Sequence, residues 1–408
     1  MSFVSVSAKR SSHRRRTTAL VIVAIVVAGA LAVGLRGNVT AAWDARQTRR
    51  ALADRRLDDA ARAVERWLVS SSSSAEAHFY RATIAWAQND LATTDAELAR
   101  ARALGYSWQP SNRLRGLLLA RTNETTEAET LLRQAIESAG KPDPEVAEAL
   151  ARIYLGTFRL IEAQEVLERW ARAVPDDARP YLLQTEVDVR NNADPEVIIA
   201  RYRAALARDS NLDRARFGLA EQLRFNHRFA EADDEYTAYI AQRPDDPLGY
   251  LGAGQSALEN GNEAEAVRLL DRALALAPTD SVALAARATI ELRRGRFESA
   301  LHYFDLALKS DPFNRGNRYQ RMLILTRLGK RTEAEAERQT VERLHKEQER
   351  FAQISRDLRA KPLDSELRVQ AACWLMEHGH EDEAIEWANL VLQSDPSHPA
   401  LNRLLADY

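Results

Sequence analysis

The fold is decided by residues 247–314, which read PLGYLGAGQSALENGNEAEAVRLLDRALALAPTD (247–280) and SVALAARATIELRRGRFESALHYFDLALKSDPFN (281–314). When the second stretch is placed beneath the first, the small residues, one large apolar residue and a proline near the end coincide. Most of the other positions differ. A recurrence with a period of 34 residues indicates a unit of two helices that repeats along the chain.

Three columns of residues extend this pattern to six stretches of the chain, and each column stands twelve residues after the one before. The first column contains Gly116, Ala151, Ala220, Gly254, Ala288 and Ala372. The second contains Ala128, Ala163, Ala232, Ala266, Ala300 and Ala384. The third contains Gly140, Pro175, Pro244, Pro278, Pro312 and Pro396. A spacing repeated this often predicts a repeat array.

Helix packing explains why these residue types recur. Two antiparallel helices joined by a tight turn approach closely only where both carry small side chains, so the first two columns mark the contact within each pair. Proline then ends the second helix, because it lacks an N–H and clashes with the preceding turn. A larger apolar residue follows the second column by four positions and fills the remaining space, at Leu132, Leu167, Tyr236, Leu270 and Phe304.

The period, the order small–small–proline and the Gly-containing inner turns, such as residues 259–262, resemble the tetratricopeptide repeat family. The resemblance implies an all-α fold, namely a right-handed α-solenoid of about ten helix–turn–helix repeats. Residues 399–408 are then expected to begin a capping helix. The predicted units are 41–74, 75–108, 109–142, 144–177, 178–212, 213–246, 247–280, 281–314, 315–360 and 365–398.

The spacing breaks once, because Pro312 and Pro362 are 50 residues apart. Residues 330–360 contain no Gly or Pro and predict one helix of about twice the usual length. Two interpretations stay open: its apolar side packs on the last repeat, or it serves self-association or docking of another helix. Apolar residues recur along it at heptad-like spacing, at Val341, Leu344, Phe351 and Leu358.

The N-terminal residues differ from the rest in composition. Residues 1–16 form a basic tail, and the following segment contains the apolar run ALVIVAIVVAGALAVGL from Ala19 to Leu35. At about 1.5 Å per residue, a helix of this length just crosses a hydrocarbon layer of about 30 Å. We therefore predict an uncleaved transmembrane signal-anchor helix at residues 17–36, with a cleaved signal peptide and a buried soluble helix as alternatives.

The basic tail favours a cytoplasmic N-terminus. The expected localisation is therefore a single-pass protein of a bacterial inner membrane, with the repeat domain extracytoplasmic, in the periplasm. The formal net charge is −2, yet residues 1–36 contain six basic residues and no acidic one, so the remaining chain is more acidic. An acidic body is a poor generic binder of nucleic acid, because such binding depends on neutralising phosphates. We expect no nucleic-acid partner.

No pattern of catalytic, cofactor-binding or metal-ligating residues stands out. Cys373 is the only cysteine, which excludes an intrachain disulfide and a cysteine-rich zinc site. Residues 377–381, EHGHE, match no standard zinc spacing and occupy an inner turn, where polar residues are expected anyway. Glycine-rich phosphate loops, GxSxG and HExxH do not occur. We therefore predict a non-enzymatic protein without cofactor or metal.

Solenoids of this family bind polypeptides along a concave groove lined by the first helix of each pair. Residues four and five positions after the first small column should face this groove, together with one aromatic residue three positions before it. Aromatic residues and Arg carry much of the energy of interfaces, although each aromatic residue has the core between repeats as its alternative. The predicted partner-binding residues are Trp86, Arg121, Arg190, Phe217, Arg224, Phe225, Arg293 and Arg327.

The sequence thus predicts a membrane-anchored interaction scaffold or assembly factor that binds another protein or peptide. Two alternatives are a non-catalytic subunit that recruits or regulates an envelope enzyme complex, and a cytoplasmic-facing adaptor. The identity of the partner does not follow from the residues of one groove.

Overall fold

The computed structural model describes residues 39–138 and 143–406, and every regular element in these two ranges is an α-helix. The helices group into two compact units, divided after Ser138. The first unit contains α1 (39–53), α2 (Leu57–Ser70), α3 (Ala75–Ala87), α4 (Leu91–Ala103), α5 (Trp108–Arg121) and α6 (Thr125–Ser138).

The second unit begins, in its described part, with α7 (Pro144–Gly156). It continues with α8 (Leu160–Ala173), α9 (Arg179–Arg190), α10 (Pro195–Leu206), α11 (Asp213–Phe225), α12 (Phe229–Gln242), α13 (Pro247–Glu259), α14 (Glu263–Leu276), α15 (Ser281–Arg293), α16 (Phe297–Ser310), α17 (Arg315–Arg327), α18 (Arg331–Ala360), α19 (Ser365–Glu377), α20 (Glu381–Leu392) and α21 (Pro399–Ala406).

The helices pack as successive pairs. The pairs are α1 with α2, α3 with α4 and so on to α19 with α20, and α21 follows the last pair. Within each unit a second helix also contacts the first helix of the following pair, as α12 contacts α13 and α14 contacts α15. The all-helical, paired architecture expected from the resemblance is therefore present.

The small columns lie at the contact between the two helices of a pair. Ala266 and Ala300 have no exposed surface, and the same holds for their counterparts in the other well-matched repeats. A Cβ added at Gly116 would meet Leu132 at 2.9 Å, and one added at Gly254 would meet Leu270 at 2.9 Å. Because Leu132 and Leu270 follow the second column by four positions, the packing rule inferred from the sequence describes this contact.

Each pair turns through one residue in the left-handed region. This region suits Gly and is tolerated by Asn, but it is strained for bulky side chains. Phe158 is therefore unusual, with a φ of 57°. The ten turn residues are Arg55, Asn89, Asn123, Phe158, Asn192, His227, Gly261, Gly295, Gly329 and Gly379.

The long helix α18 has 30 residues and serves two neighbours. Its first half pairs with α17, and its second half contacts α19. Ile354 and Leu358 are buried in the cluster formed with α19 and α20, and Phe351 packs against the same cluster. Packing on the last repeat is thus observed. Self-association through residues 330–360 stays a prediction.

None of the helices in residues 39–138 and 143–406 combines the length and the apolar surface that a membrane span requires. Typical paired helices have 12 to 14 residues, and the longer α18 is rich in Glu and Arg. The predicted tail 1–16 and signal-anchor helix 17–36 lie outside the described residues. The predicted localisation, a single-pass inner-membrane protein with a periplasmic repeat domain, is therefore corrected: the described helices supply no span for it.

The close contact at Gly254 gives a test of the fold. Replacing Gly254 by Leu forces a branched side chain against Leu270, which should destabilise the repeat by about 1–3 kcal/mol. Gly156 is a matched control, because it also lies in a first helix but a Cβ there has no neighbour within 4 Å. Urea unfolding followed by circular dichroism should show an earlier transition for Gly254→Leu than for Gly156→Leu. Equal transitions would contradict the packing rule.

Candidate functional site

The first helices of successive pairs lie side by side in the second unit. α13 contacts both α11 and α15. On the other side of α13, the second helices α12 and α14 are parted by a cavity of about 320 Å³, lined by residues such as Ile240, Ala257 and Leu269. Helices that touch on one side and separate on the other make the row bend towards the first helices. That side of the row is therefore the concave one locally.

Exposed apolar side chains concentrate on this concave side. Leu248 and Ala257 are nine positions apart, which at about 100° per residue corresponds to about two and a half helical turns. Because Ala257 lines the cavity, Leu248 lies on the opposite side of α13. Val282 occupies the equivalent position of α15. We define the first-helix wall as the exposed faces of α9, α11, α13, α15 and α17, which present Val189, Phe225, Leu248, Val282, Tyr319 and Leu323.

Together, the helices α13, α15 and α17 contain more Arg than acidic residues. α17 contains four Arg residues and no acidic residue, and two of these Arg residues pair with carboxylates of α16 and α18. The acidic residue of α13, Glu259, is exposed and pairs with Arg224 of α11. The acidic residue of α15, Glu291, is 5% exposed, and hydrogen bonds from Arg296 hold its pKa below the ordinary value. Both carboxylates are thus neutralised by Arg residues of the second unit.

Four of the predicted groove Arg residues bridge neighbouring repeats. Arg293 Nη1 donates to the carbonyl of Leu258 at 3.1 Å, and Arg190 Nη1 donates to the carbonyl of Leu155. In each case the donor lies 35 residues after its acceptor, so it caps the end of the preceding first helix. These side chains therefore hold the repeats together at the edge of the wall.

The other two bridging Arg residues bond to side chains. Arg224 is 5% exposed and forms ion pairs with Glu221 of its own helix and Glu259 of the next repeat. In the first unit, Arg121 Nη1 donates to the side-chain oxygen of Asn89 at 2.6 Å. Arg327 is exposed, as Arg121 and Arg293 are, and its guanidinium lies 5.9 Å from the ring of Phe297.

The predicted aromatic residues divide between core and wall. Phe217 is half-buried, with its ring centroid 5.3 Å from that of Tyr239 on the other helix of the same pair, so it belongs to the packing within the repeat. Trp86 of the first unit packs against a buried cluster, and its ring lies 4.6 Å from the guanidinium of Arg121. Phe225 is 62% exposed. Phe225 and Arg327 are therefore exposed on the wall, Arg121 and Arg293 are exposed and also bridge repeats, and the other predicted residues contribute to packing or bridging.

Sequence reasoning missed the main apolar residues of the wall. Leu248 and Val282 lie six positions before the first small column. The positions predicted to face the groove lie three residues before this column and four or five residues after it. Their periodic recurrence at 34 residues was a usable signal, but apolar residues at such positions are equally compatible with a core.

A second missed feature is a hydrogen bond, here called a tie, across five of the inter-repeat loops. A side chain near the start of a first helix donates to a backbone carbonyl six residues earlier, and this carbonyl belongs to proline in most cases. The signal for it in the sequence is a hydrogen-bonding side chain six positions after the proline column. The pairs are Arg216 to Ser210, Tyr250 to Pro244, Arg318 to Pro312, Arg368 to Pro362 and Asn402 to Pro396.

The remaining chemistry is structural. His378 lies buried between α18 and α19, with Nδ1 2.7 Å from the carbonyl of Trp374 and Nε2 3.1 Å from Glu347. Cys373 is half-buried, and burial raises the pKa of its thiol, which disfavours the thiolate. In the part of the chain that the structure describes, no three His, Cys, Asp or Glu side chains converge to hold a metal ion.

Comparisons with known proteins agree with this architecture. Models of the family described as tetratricopeptide repeat match residues 46–105, 113–178 and 217–281, and a second model of the same description matches 257–323. Together these matches cover more than half of the chain. No curated protein matches the sequence.

Three solved structures illustrate the similarity. A tetratricopeptide repeat protein from Parabacteroides merdae is 16% identical, with a TM-score of 0.46, and the alignment covers 62% of this chain and 100% of that one. MamA of MSR-1 is 23% identical, with a TM-score of 0.36 and coverage of 42% and 97%. The Cut9–Hcn1 hetero-tetramer of the APC/C is 12% identical, with a TM-score of 0.38 and coverage of 88% and 95%.

The tie across the inter-repeat loop gives a second test. Replacing Tyr250 by Phe removes the 3.1 Å hydrogen bond to Pro244 and keeps the ring. We expect a loss of about 0.5–1.5 kcal/mol and faster amide hydrogen exchange in residues 244–252. Tyr319→Phe is the control, because Tyr319 is 46% exposed on a first helix and its hydroxyl has no protein partner among the described residues. Identical exchange in the two variants would show that the tie does not stabilise the loop.

Proposed function

Because the chain belongs to the tetratricopeptide repeat family, whose members generally mediate protein–protein interaction, we propose that it is a non-enzymatic scaffold that binds a polypeptide on the first-helix wall. The partner lies along α11, α13, α15 and α17 and contacts several repeats at once. Binding of this kind holds a second protein in place without changing it chemically.

One observation carries the proposal: exposed apolar side chains recur on consecutive first helices. Leu248 is 44% exposed, Val282 is 45% exposed and Leu323 is 39% exposed. Recurrence of exposed apolar residues on one face of successive helices favours an interaction surface over scattered single residues. Its regular spacing suits an extended chain or a helix that lies across the repeats.

The chemistry of the wall also suggests the kind of partner. Apolar side chains stand beside Arg327, and the acidic residues of α13 and α15 are neutralised by Arg residues of the same unit. A segment that combines apolar and acidic residues would complement this surface. An enzyme that carries such a segment would make the chain its recruiting subunit.

A charge placed on the wall tests the proposal. The partner is first captured from host extract and purified, and its affinity is then measured by calorimetry. The double variant Val282→Glu with Leu323→Glu should bind about tenfold or more weakly, because acidic groups then face an acidic, apolar segment. Both positions are partly exposed, so the helical circular dichroism should not change.

The matched control places the same charges on second helices of the same unit. Ile161 is 76% exposed on α8 and Val197 is 43% exposed on α10. Ile161→Glu with Val197→Glu should retain the affinity of the parent. Equal loss in both double variants, or full affinity of the wall variant, would contradict binding on the first-helix wall. Turnover of a small molecule by the purified chain alone would contradict the non-enzymatic role.

A further inference from the structure

The inner turn of one early repeat contacts the last repeat pair of the second unit. Phe158, between α7 and α8, stacks on Trp387 of α20 with ring centroids 5.5 Å apart and an angle of 27° between the planes. The side chain of Phe158 packs against the apolar cluster formed by α18, α19, α20 and α21. These helices are six repeats further along the chain, so the contact closes the row of helices on itself.

Arginine side chains around Phe158 also indicate that this turn lies close to the last repeat pair. Burial lowers the pKa of Arg368 in α19, and the positive charge of Arg159, next to Phe158, lowers it further. The guanidinium of Arg190 lies 5.1 Å from the ring of Phe158. Phe158 is thus held between the first helix of the following repeat and the last repeat pair.

A bulky residue at this turn raises the free energy of the folded state unless its side chain makes a compensating contact. Phe158 has a φ of 57°, a conformation that a bulky side chain adopts only under strain. The equivalent turns on either side in sequence carry Asn123 and Asn192, which tolerate it. A large aromatic residue at the strained position is explained by the ring that it presents to Trp387.

The break in the repeat spacing explains how the last pair reaches this turn. The distance of 50 residues between Pro312 and Pro362 exceeds the period by sixteen residues. At about 1.5 Å per residue, the extension of α18 carries α19 and α20 about 24 Å further along its axis. The extension is rigidly joined to α19, because Phe351 stacks on Trp374 at 4.1 Å and Trp374 Nε1 donates to the carbonyl of Glu347 at 3.0 Å.

We propose that Phe158 and Trp387 form a clasp that closes the second unit around the first-helix wall. The inference rests on the proposed function, since the wall is the surface that the clasp encloses. A flexible segment of a partner can enter while the clasp is shut, whereas a folded domain reaches the wall only after the clasp opens. The contact joins a single inner turn, around Phe158 and Arg159, to the last repeat pair, so opening breaks few contacts.

Cysteine cross-linking tests the contact itself. In the full chain with Cys373→Ser, the pair Arg159→Cys with Arg368→Cys keeps both rings and should be joined by a short bifunctional maleimide, because the two arginines lie near each other. The product is seen as a faster-migrating monomer on a denaturing gel, and neither single-cysteine variant should give it. A folded double variant that is not joined would overturn the clasp.

Labelling of a reporter cysteine tests whether the clasp controls access. In the Cys373→Ser chain, Leu323→Cys reports on the wall and Ile161→Cys reports on an exposed second helix. The substitution Phe158→Asn removes the ring and supplies the residue type of the neighbouring turns. It should raise the labelling rate of the wall cysteine by a maleimide-bearing polyethylene glycol about tenfold. Labelling by N-ethylmaleimide and labelling of the Ile161→Cys reporter should not change.

Equal polymer labelling of the wall cysteine with and without the Phe158→Asn substitution would overturn the control of access, and so would an equal rise at both reporters. Circular dichroism of Phe158→Asn verifies that the helices are retained. No partner takes part in either experiment. The clasp can therefore be disproved while binding on the first-helix wall is confirmed, and binding on the wall can be disproved while the clasp is confirmed.

Discussion

The structure depends on the contact between a small residue on the first helix of each pair and a large apolar residue on the second. Gly254 against Leu270 shows the constraint most clearly, because even a Cβ at Gly254 would stand 2.9 Å from the leucine. This contact fixes the distance between paired helices. Repetition at a constant period then stacks the pairs in register and sets which face of each first helix remains exposed.

The side chains that join the repeats differ from those that the proposed function assigns to binding. Arg190, Arg224 and Arg293 reach neighbouring repeats, where they cap helix ends or neutralise carboxylates. The exposed surface between them is left to apolar residues such as Val282 and Leu323. Since these bridges join neighbouring repeats, the proposed function has a wall that keeps its shape before a partner arrives, which would lower the entropic cost of binding.

Sequence patterns predicted the paired helices, the columns at their contacts and the long helix at 330–360, because these features follow from local spacing. The pattern could not show that Arg224 would be buried, since that depends on Glu259 of the next repeat. It also could not show the approach of Phe158 to Trp387, because small rotations between repeats accumulate over six pairs before the two rings meet. The localisation inferred from the apolar run of residues 19–35 is not supported, because none of the helices that the structure describes combines the length and the apolar surface of a membrane span.

Site-specific photo-crosslinking tests the central claim most directly. A photoreactive phenylalanine analogue at Tyr319, on the first-helix wall, is compared with the same analogue at Val197, on a second helix of similar exposure. We expect a crosslink to one defined segment of the purified partner from position 319 and none from position 197. Crosslinks from position 197 alone, or equally from both positions, would contradict the assignment of the binding face.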